Sequence, residues 1–308
     1  MALAWPDLAW RAYLGGCEHC VMRLGLITFP ASKDDVLADL AMATDAGFDV
    51  LATGDHLRHP RDGGSPVLDG WSVLAAWAPM TTHVRLAMLV SNIIFRQPSV
   101  LAKQAVTVDQ LSEGRLDLGV GAGVYPTDHS MAGVPSWSPR ERVDRLEEFV
   151  RALDRALRGD ASFEGRYYRF DCAAVDPGAL QHPRPPIVVG AVGPRMLRLT
   201  AQLADVWSAF GGIDVADEQA FVAAIKQQTA VIDRCCDEIG RDPQSLRRSL
   251  VAFRPLQPWS SRDALARLID NVRPLGFEEI ILYKPAGTDE QRVFDAFVAD
   301  RLPGLGLR

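Results

Sequence analysis

Short apolar runs alternate with longer amphipathic segments along most of the chain. The short runs are rich in aliphatic and β-branched residues and lie at residues 23–28, 50–53, 84–90, 116–120, 187–189, 204–208, 246–253 and 279–283. Between them apolar residues recur at the helical period of about 3.6 residues. Before the fifth run, one such face carries Val143, Leu146, Phe149, Val150, Leu153 and Leu157. Strands that each lead into a helix predict the α/β class, with a parallel sheet. Eight such cycles predict a single (β/α)8 TIM barrel.

Two segments interrupt this alternation and are predicted to be insertions in the barrel. Residues 124–140 follow strand 4, and residues 159–186 precede strand 5. Long insertions of this kind are usually functional loops, and the second is predicted to form a small hairpin. Because the periodic pattern begins at Met22, residues 1–21 are predicted to be an N-terminal extension and residues 22–308 the barrel domain.

Composition narrows the classes of partner. The 308 residues are 48% hydrophobic and 23% charged, with a formal net charge of -6. Nucleic-acid binding requires clustered Lys and Arg rather than an acidic balance, so small molecules are the expected partners. No apolar run reaches the roughly 18 residues that a membrane span needs. The first residues lack the pattern of a secretory signal, so we expect a cytoplasmic protein.

The cysteines do not form a metal-binding framework. Cys17 and Cys20 make one CxxC motif without a second ligand pair at zinc-site spacing. A redox motif and half of a metal site are the alternatives to a plain surface extension. We favour the extension, because redox CxxC motifs stand between a strand and a helix, whereas this one precedes the first strand.

Candidate chemistry lies at the C-terminal ends of the strands, where barrel enzymes build their active sites. Asp55 and His56 follow the second strand, and Ser91 and Asn92 follow the third. Histidine exchanges protons near neutral pH, which makes His56 a candidate acid or base. The alternative is a loop histidine hydrogen-bonded to backbone. Asp128 and His129, in the first insertion, fit either a lid or a surface loop.

Two glycine-rich turns follow the fourth and fifth strands. They contain Gly121 to Gly123 and Gly190 to Gly193, and the second leads into a helix at Pro194. Glycine lets backbone N–H groups approach a phosphate, and a helix N-terminus favours an anion. The turns therefore predict a phosphate-bearing cofactor. The alternative is that the glycines are present only because the turns need their backbone geometry. Neither turn is a GxGxxG or P-loop motif, which disfavours a dinucleotide fold or an NTPase.

A family resemblance adds to this interpretation. GFDVLATGDHL, then RQPSVLAKQAVTVDQLSEGRLDLGVGAGVYPTDHSMAGVP, FEGRYYRF and HPRPPIVVGAVGPRMLRLTAQLADVWSAFGG resemble luciferase-like monooxygenases over roughly residues 22–212. Within that class the chain looks most like the branch of probable coenzyme F420-dependent oxidoreductases. The resemblance implies catalysis by His56 with Asp55 orienting it, and a non-proline cis peptide near Val90, Ser91 and Asn92. The cofactor-binding residues that it implies are Ser91, Asn92, Gly121, Ala122, Gly123, Tyr125, Gly190, Ala191, Val192, Gly193 and Arg195.

The resemblance implies hydride transfer between F420 and an unidentified small organic substrate. The alternatives are an FMN-dependent monooxygenase that uses oxygen and a flavin-binding barrel without turnover. A homodimer is the family expectation. Gln97, Val124 and Ala191 depart from the family pattern at positions that usually hold histidine, an aromatic residue and glycine.

Overall fold

The computed structural model describes residues 22–59, 64–171, 175–212, 215–253 and 256–301. The predicted extension, with Cys17 and Cys20, lies outside the described residues. The strands are β1 (Arg23–Ile27), β2 (Val50–Thr53), β3 (Arg85–Asn92), β4 (Leu116–Gly121), β5 (Phe163–Glu164), β6 (Arg169–Phe170), β7 (Ile187–Gly190), β8 (Val206–Ala209), β9 (Arg247–Ala252) and β10 (Glu279–Tyr283). The helices are α1 (Lys33–Asp45), α2 (Gly70–Trp77), α3 (Pro98–Leu111), α4 (Pro126–Met131), α5 (Pro139–Leu157), α6 (Pro194–Leu203), α7 (Glu218–Glu238), α8 (Arg262–Val272) and α9 (Gly287–Arg301).

Eight of the strands form a closed parallel barrel in the order β1, β2, β3, β4, β7, β8, β9, β10 and back to β1. The predicted fold class is confirmed. The pair β5 and β6 forms the small antiparallel hairpin expected before the fifth barrel strand. The other insertion, after β4, contains the short helix α4. Among the described residues, no helix is both long and apolar enough to cross a membrane.

The helices cover the barrel through the apolar faces that the periodicity predicts. In α5, Leu146, Phe149 and Leu153 are completely buried, whereas Val143 at the start of the helix packs only partly against the core. Burying one such side chain contributes about 1.5–3 kcal/mol. Ser138 caps the N-terminus of this helix, because its side-chain hydroxyl accepts a hydrogen bond from the backbone amide of Glu141.

Alternate residues of each strand point into the barrel, and their character changes along its axis. At the N-terminal ends, Arg23 pairs with Glu279 at 2.5 Å and Arg85 pairs with Asp117 at 2.8 Å. The next positions form an apolar layer of Ile27, Val50, Ala52, Ala87, Val251 and Ile281. Glycine is needed at Gly25, where a Cβ would lie 2.3 Å from Ile281 Cδ1. The filled interior leaves the C-terminal ends as the place for a ligand.

Strand β3 is longer and less regular than the sequence predicts. It continues through Ser91 and Asn92, which were expected to follow it. Its register against β4 shifts between Met88 and Ser91, and the peptide bond from Leu89 to Val90 is cis. The cis peptide implied by the family resemblance near Val90 is therefore confirmed.

Candidate active site

A cleft opens at the C-terminal ends of the strands, with a cavity volume of about 150 Å³. We call this the mouth cleft. Its glycine half comes from the adjacent strands β2, β3, β4 and β7 and is lined by His56, Leu89, Val90, Asn92, Gly121, Ala122, Gly123, Val124, Tyr125 and Gly190. Its aromatic half comes from β8, β9, β10 and β1 and is lined by Ile27, Phe29, Ser208, Phe210, Val251, Phe253 and Tyr283.

His56 lies in the glycine half and pairs with a carboxylate from the first insertion. Its Nδ1 is 2.8 Å from Oδ2 of Asp128, and the two side chains are only 16% and 4% exposed. An ionised carboxylate only accepts hydrogen bonds, so Nδ1 carries the proton and Nε2 is the nitrogen that can exchange one. The ring stands edge-on to Tyr125, with centroids 5.3 Å apart.

Asp55 has a different role from the one predicted. Its carboxylate forms an ion pair with Arg96, in which Nη2 donates to Oδ1 at 3.1 Å. Its Oδ2 also accepts from the amide of Asn92 at 2.9 Å. Burial raises the pKa of Asp55, against the opposing effects of Arg96 and the Asn92 amide. The expectation that Asp55 orients His56 is wrong: Asp55 supports the end of β3, and Asp128 orients the histidine.

Asn92 links these two carboxylates. Its backbone amide donates to Asp55, and its side-chain Nδ2 donates to Asp128 Oδ2 at 3.2 Å. Its Oδ1 accepts from the amide of Ile94 at 3.1 Å, which fixes the orientation of the side-chain amide. Asn92 lines the mouth cleft and also holds the partner of His56 in place.

The first glycine turn lies against the irregular part of β3. A Cβ at Gly121 would be 2.3 Å from Val90 Cγ2, and a Cβ at Gly123 would be 2.4 Å from Ile94 Cδ1. Gly123 also has a φ of +69°, in the left-handed region that favours glycine. Packing within the chain therefore requires both glycines. A bulky substitution at Gly121 would disturb β3 itself, so it would be a poor test of cofactor contact.

The second glycine turn is more open. A Cβ at Gly193 would meet no atom within 4 Å, and one at Gly190 would meet only Val90 and Phe210 at 3.8 and 3.9 Å. Gly193 is the N-cap of α6, and no side chain caps this helix end. The uncapped N–H groups of its first turn and the open backbone are what an anion needs.

Several predicted cofactor-binding residues lie away from the mouth cleft. Ala191 is buried, donating to Ser208 O and accepting from Trp207 Nε1, and the side chain of Arg195 pairs with Asp144. The buried Ser91 hydroxyl makes no hydrogen bond to any described residue. The structure thus brings His56, Asn92, Gly121, Ala122, Gly123, Tyr125 and Gly190 together at the cleft. It does not bring Asp55, Ser91, Ala191, Val192, Gly193 or Arg195 to the lining of that cleft.

Sequence reasoning left the role of Asp128 open and missed Arg96 and most of the aromatic half. Asp128 is 72 residues from His56 in sequence, and Arg96 is 41 residues from Asp55. No spacing rule connects residues so far apart. The aromatic residues did carry a signal, because Phe29, Phe210, Phe253 and Tyr283 each lie at or just beyond the C-terminal end of a predicted strand.

Comparison with known proteins assigns the family. The sequence profile of luciferase-like monooxygenases matches residues 25–277. The chain belongs to the luciferase-like monooxygenase family. It is therefore an enzyme of that oxidoreductase class, which agrees with the predicted resemblance.

The similar proteins use more than one cofactor. An F420-dependent glucose-6-phosphate dehydrogenase of Nakamurella multipartita is 37% identical over 182 residues, which cover 55% of this chain and 50% of that protein. The match thus spans only half the length of this relative. An F420-dependent secondary alcohol dehydrogenase, solved with an F420-acetone adduct, has a TM-score of 0.77 at 16% identity, covering 92% of this luciferase-like chain and 98% of the other. The oxygenating constituent of 3,6-diketocamphane monooxygenase from Pseudomonas putida, solved with FMN, has a TM-score of 0.65 at 16% identity, covering 94% and 100%.

Proposed function

We propose that this luciferase-like protein transfers a hydride between coenzyme F420 and a small organic substrate, with His56 exchanging the accompanying proton. The observation that carries the proposal is the pairing of His56, which lines the mouth cleft, with the buried Asp128, whose carboxylate lies 2.8 Å from Nδ1 of the histidine. This pair supplies an oriented acid or base at the end of a barrel where catalysis takes place.

The glycine half fits a flat cofactor ring with a phosphate. Val90, Ala122 and Tyr125 offer apolar and aromatic surface to a ring, and Gly190 lies at the edge of the same surface. Three residues after Gly190, the open backbone at Gly193 and the uncapped N-terminus of α6 suit a phosphate. When bound, F420 supplies the position that donates or accepts the hydride.

The proton step belongs to His56. In the direction of reduction, the imidazolium donates the proton on Nε2 to the substrate oxygen as the carbon beside it receives the hydride. The carboxylate of Asp128 holds Nδ1 and stabilises the charged ring before transfer. In the direction of oxidation, neutral Nε2 accepts the proton of the alcohol. Over the full reaction the carbonyl compound gains a hydride and a proton, and the reduced cofactor loses both.

Binding and turnover test the cofactor assignment together. We expect the apoprotein to bind F420 more tightly than FMN, measured by quenching of the fluorescence of each cofactor. Reduced F420 should support reduction of a carbonyl substrate under nitrogen. Tighter binding of FMN with turnover that depends strictly on oxygen would instead support an FMN monooxygenase. Binding of either cofactor without turnover on any substrate would support a barrel that has lost catalysis.

A further inference from the structure

The short helix α4 carries two adjacent buried side chains that contact different parts of the site. Asp128 and His129 are only 3% and 2% exposed. The carboxylate of Asp128 holds His56, as described above. The imidazole of His129 lies instead between the backbone carbonyl oxygens of Gly123 and Pro135. The proton step uses the first of these two residues and leaves the second without a role.

Both ring nitrogens of His129 lie against hydrogen-bond acceptors. Nε2 is 3.2 Å from the carbonyl oxygen of Gly123, and Nδ1 is 3.0 Å from that of Pro135. A carbonyl oxygen only accepts, so each bond needs a proton on the nitrogen that makes it. An imidazolium ion can donate to both carbonyls, whereas a neutral ring can donate to one of them. The ring of His129 therefore joins the glycine turn to the far end of the first insertion.

The orientation of this ring is fixed by packing. His129 meets Trp137 edge to face, with centroids 5.1 Å apart. Trp137 is held in turn by Arg145 of α5, whose guanidinium carbon lies 4.3 Å from the centre of the tryptophan ring and 4.4 Å from that of Tyr167. Arg145 also pairs with Glu141 at 2.9 Å. These contacts tie the first insertion to the helical layer, so the nitrogens of His129 have a set direction.

Gly123 is a residue whose conformation needs restraint from its neighbours. It has a φ of +69° and no side chain, so its own sterics leave its backbone free to adopt several conformations. On the side of β3, a Cβ at this position would lie 2.7 Å from Oδ1 of Asn92. Because a peptide group is planar, holding the carbonyl of Gly123 also sets the direction of the N–H of Val124. Gly123 and Val124 both line the mouth cleft, so His129 sets the backbone that a bound cofactor meets.

We infer that His129 is a positioning residue for the cofactor: its Nε2 donates to the carbonyl of Gly123 and holds the glycine turn in the shape that the cofactor binds. This inference rests on the proposed function, because it takes the glycine half of the cleft as the cofactor site. A turn that is already ordered loses less conformational entropy when the cofactor binds, so the bond raises cofactor affinity. The proton step stays with His56.

Two amide variants separate the two contacts of His129. The glutamine amide reaches about as far as Nε2 and can keep the bond to Gly123, whereas the asparagine amide matches Nδ1 and can keep only the bond to Pro135. In fluorescence titrations, we expect the Kd for F420 to stay within a few fold in His129→Gln. It should rise by about tenfold in His129→Asn, the order expected for one lost hydrogen bond. Each variant loses one buried bond, so a merely structural role would change both Kd values equally.

Urea unfolding and one neighbouring variant complete the test. Similar free energies of unfolding for the two amide variants, together with different Kd values, support the positioning role. Asp128→Asn alters the other buried residue of α4 and should leave the Kd within a few fold. Equal Kd values in His129→Gln and His129→Asn, or an equal rise in Asp128→Asn, would overturn the role of His129.

A third substitution covers the case in which His129→Asn does not fold. His129→Phe keeps a ring against Trp137 and removes both donors, so it should show the same rise in Kd; a folded phenylalanine variant with unchanged Kd would overturn the inference. Failure of the unmodified protein to bind F420 would instead overturn the proposed function. The same titrations with FMN would then test His129 by itself.

Discussion

The two nitrogens of His56 have different surroundings, and this difference sets what each substitution should do. Nδ1 faces Asp128, whereas Nε2 is the nitrogen that we propose exchanges a proton with the substrate. We expect His56→Ala to lower turnover by about 10²- to 10⁴-fold, the usual contribution of a general acid or base. Cofactor affinity should change only a few fold, because the glycine turns lie on other strands. Full turnover of the variant on a true substrate would contradict the role of His56 as an acid or base. Loss of cofactor affinity without loss of turnover would show that His56 only contacts the cofactor ring.

Asp128 and Asp55 provide the matched comparison for His56. Asp128→Asn replaces the ionised acceptor of His56 by a neutral amide, which can also present its NH2 group to Nδ1 and no longer stabilises the imidazolium. Turnover should therefore fall by at least about tenfold with the fold retained. Asp55→Asn leaves the guanidinium of Arg96 without its ionic partner, so we expect mainly a lower free energy of unfolding, by about 3–5 kcal/mol. Urea unfolding and steady-state rates measured on both variants separate the two effects. A larger rate loss in Asp55→Asn than in Asp128→Asn would reverse the two roles.

At the scale of the element, the N-terminus of α6 offers a test that does not disturb packing. Gly193 has extended backbone, with φ of -77°, and open space in the direction of a Cβ. Aspartate is a favoured N-cap residue, and its charge suits the helix dipole, so Gly193→Asp should leave the free energy of unfolding unchanged or slightly higher. The same charge would repel a phosphate. We therefore expect cofactor affinity to fall by about tenfold or more.

The neutral variant Gly193→Asn is the control for this substitution. Asparagine caps a helix as well as aspartate does, but it carries no charge. Its cofactor affinity should stay within a few fold of that of the unmodified protein in the same fluorescence titration. If the aspartate and asparagine variants bind the cofactor equally, the phosphate does not lie at this helix end.

At the scale of the whole molecule, a buried arginine ties the helical layer to the barrel. Arg184 is nearly buried and bonds Asp154 of α5 and Asp205 before β8, each at 2.5 Å. Burial raises the pKa of Asp154, but hydrogen bonds from Arg184 and Arg158 outweigh it and leave the pKa below its ordinary value. The ionised carboxylate therefore stabilises the folded state. Asp154→Asn should lower the free energy of unfolding by about 1–2 kcal/mol at neutral pH.

The pH dependence of this loss follows from the direction of the pKa shift. Between pH 7 and 5 Asp154 is ionised in both the folded and unfolded states, so the difference between the two proteins should be constant. Below about pH 4 the unfolded state takes up its proton first, and the difference should shrink. Urea unfolding of the unmodified protein and of Asp154→Asn at pH 7, 5 and 3.5 measures this difference in stability. Asp160→Asn, which removes a largely exposed partner of Arg155, is the control and should change stability by less than about 0.5 kcal/mol.

The sequence by itself determined the elements and the end of the barrel that carries the chemistry. Short apolar runs identify the strands, because the strands of a parallel barrel are buried on both faces. The 3.6-residue period identifies the helices, because each helix is buried on one face. All eight predicted strand segments overlap the barrel strands, from Arg23–Ile27 to Glu279–Tyr283. Placing His56 and the glycine turns at strand ends followed from the same pattern, since parallel strands bring all their C-terminal ends to one side.

Only the tertiary structure decided which side chains meet. Barrel closure pairs Arg23 with Glu279 across 256 positions, and the path of the first insertion brings Asp128, rather than the adjacent Asp55, to His56. It also showed that Gly121 is required by Val90, whereas Gly193 faces open space. The physical reason is that local periodicity reports burial but not partners. A hydrogen bond or steric contact depends on distances of a few ångströms, which are set by how the whole barrel closes and by how the insertion folds back over its mouth.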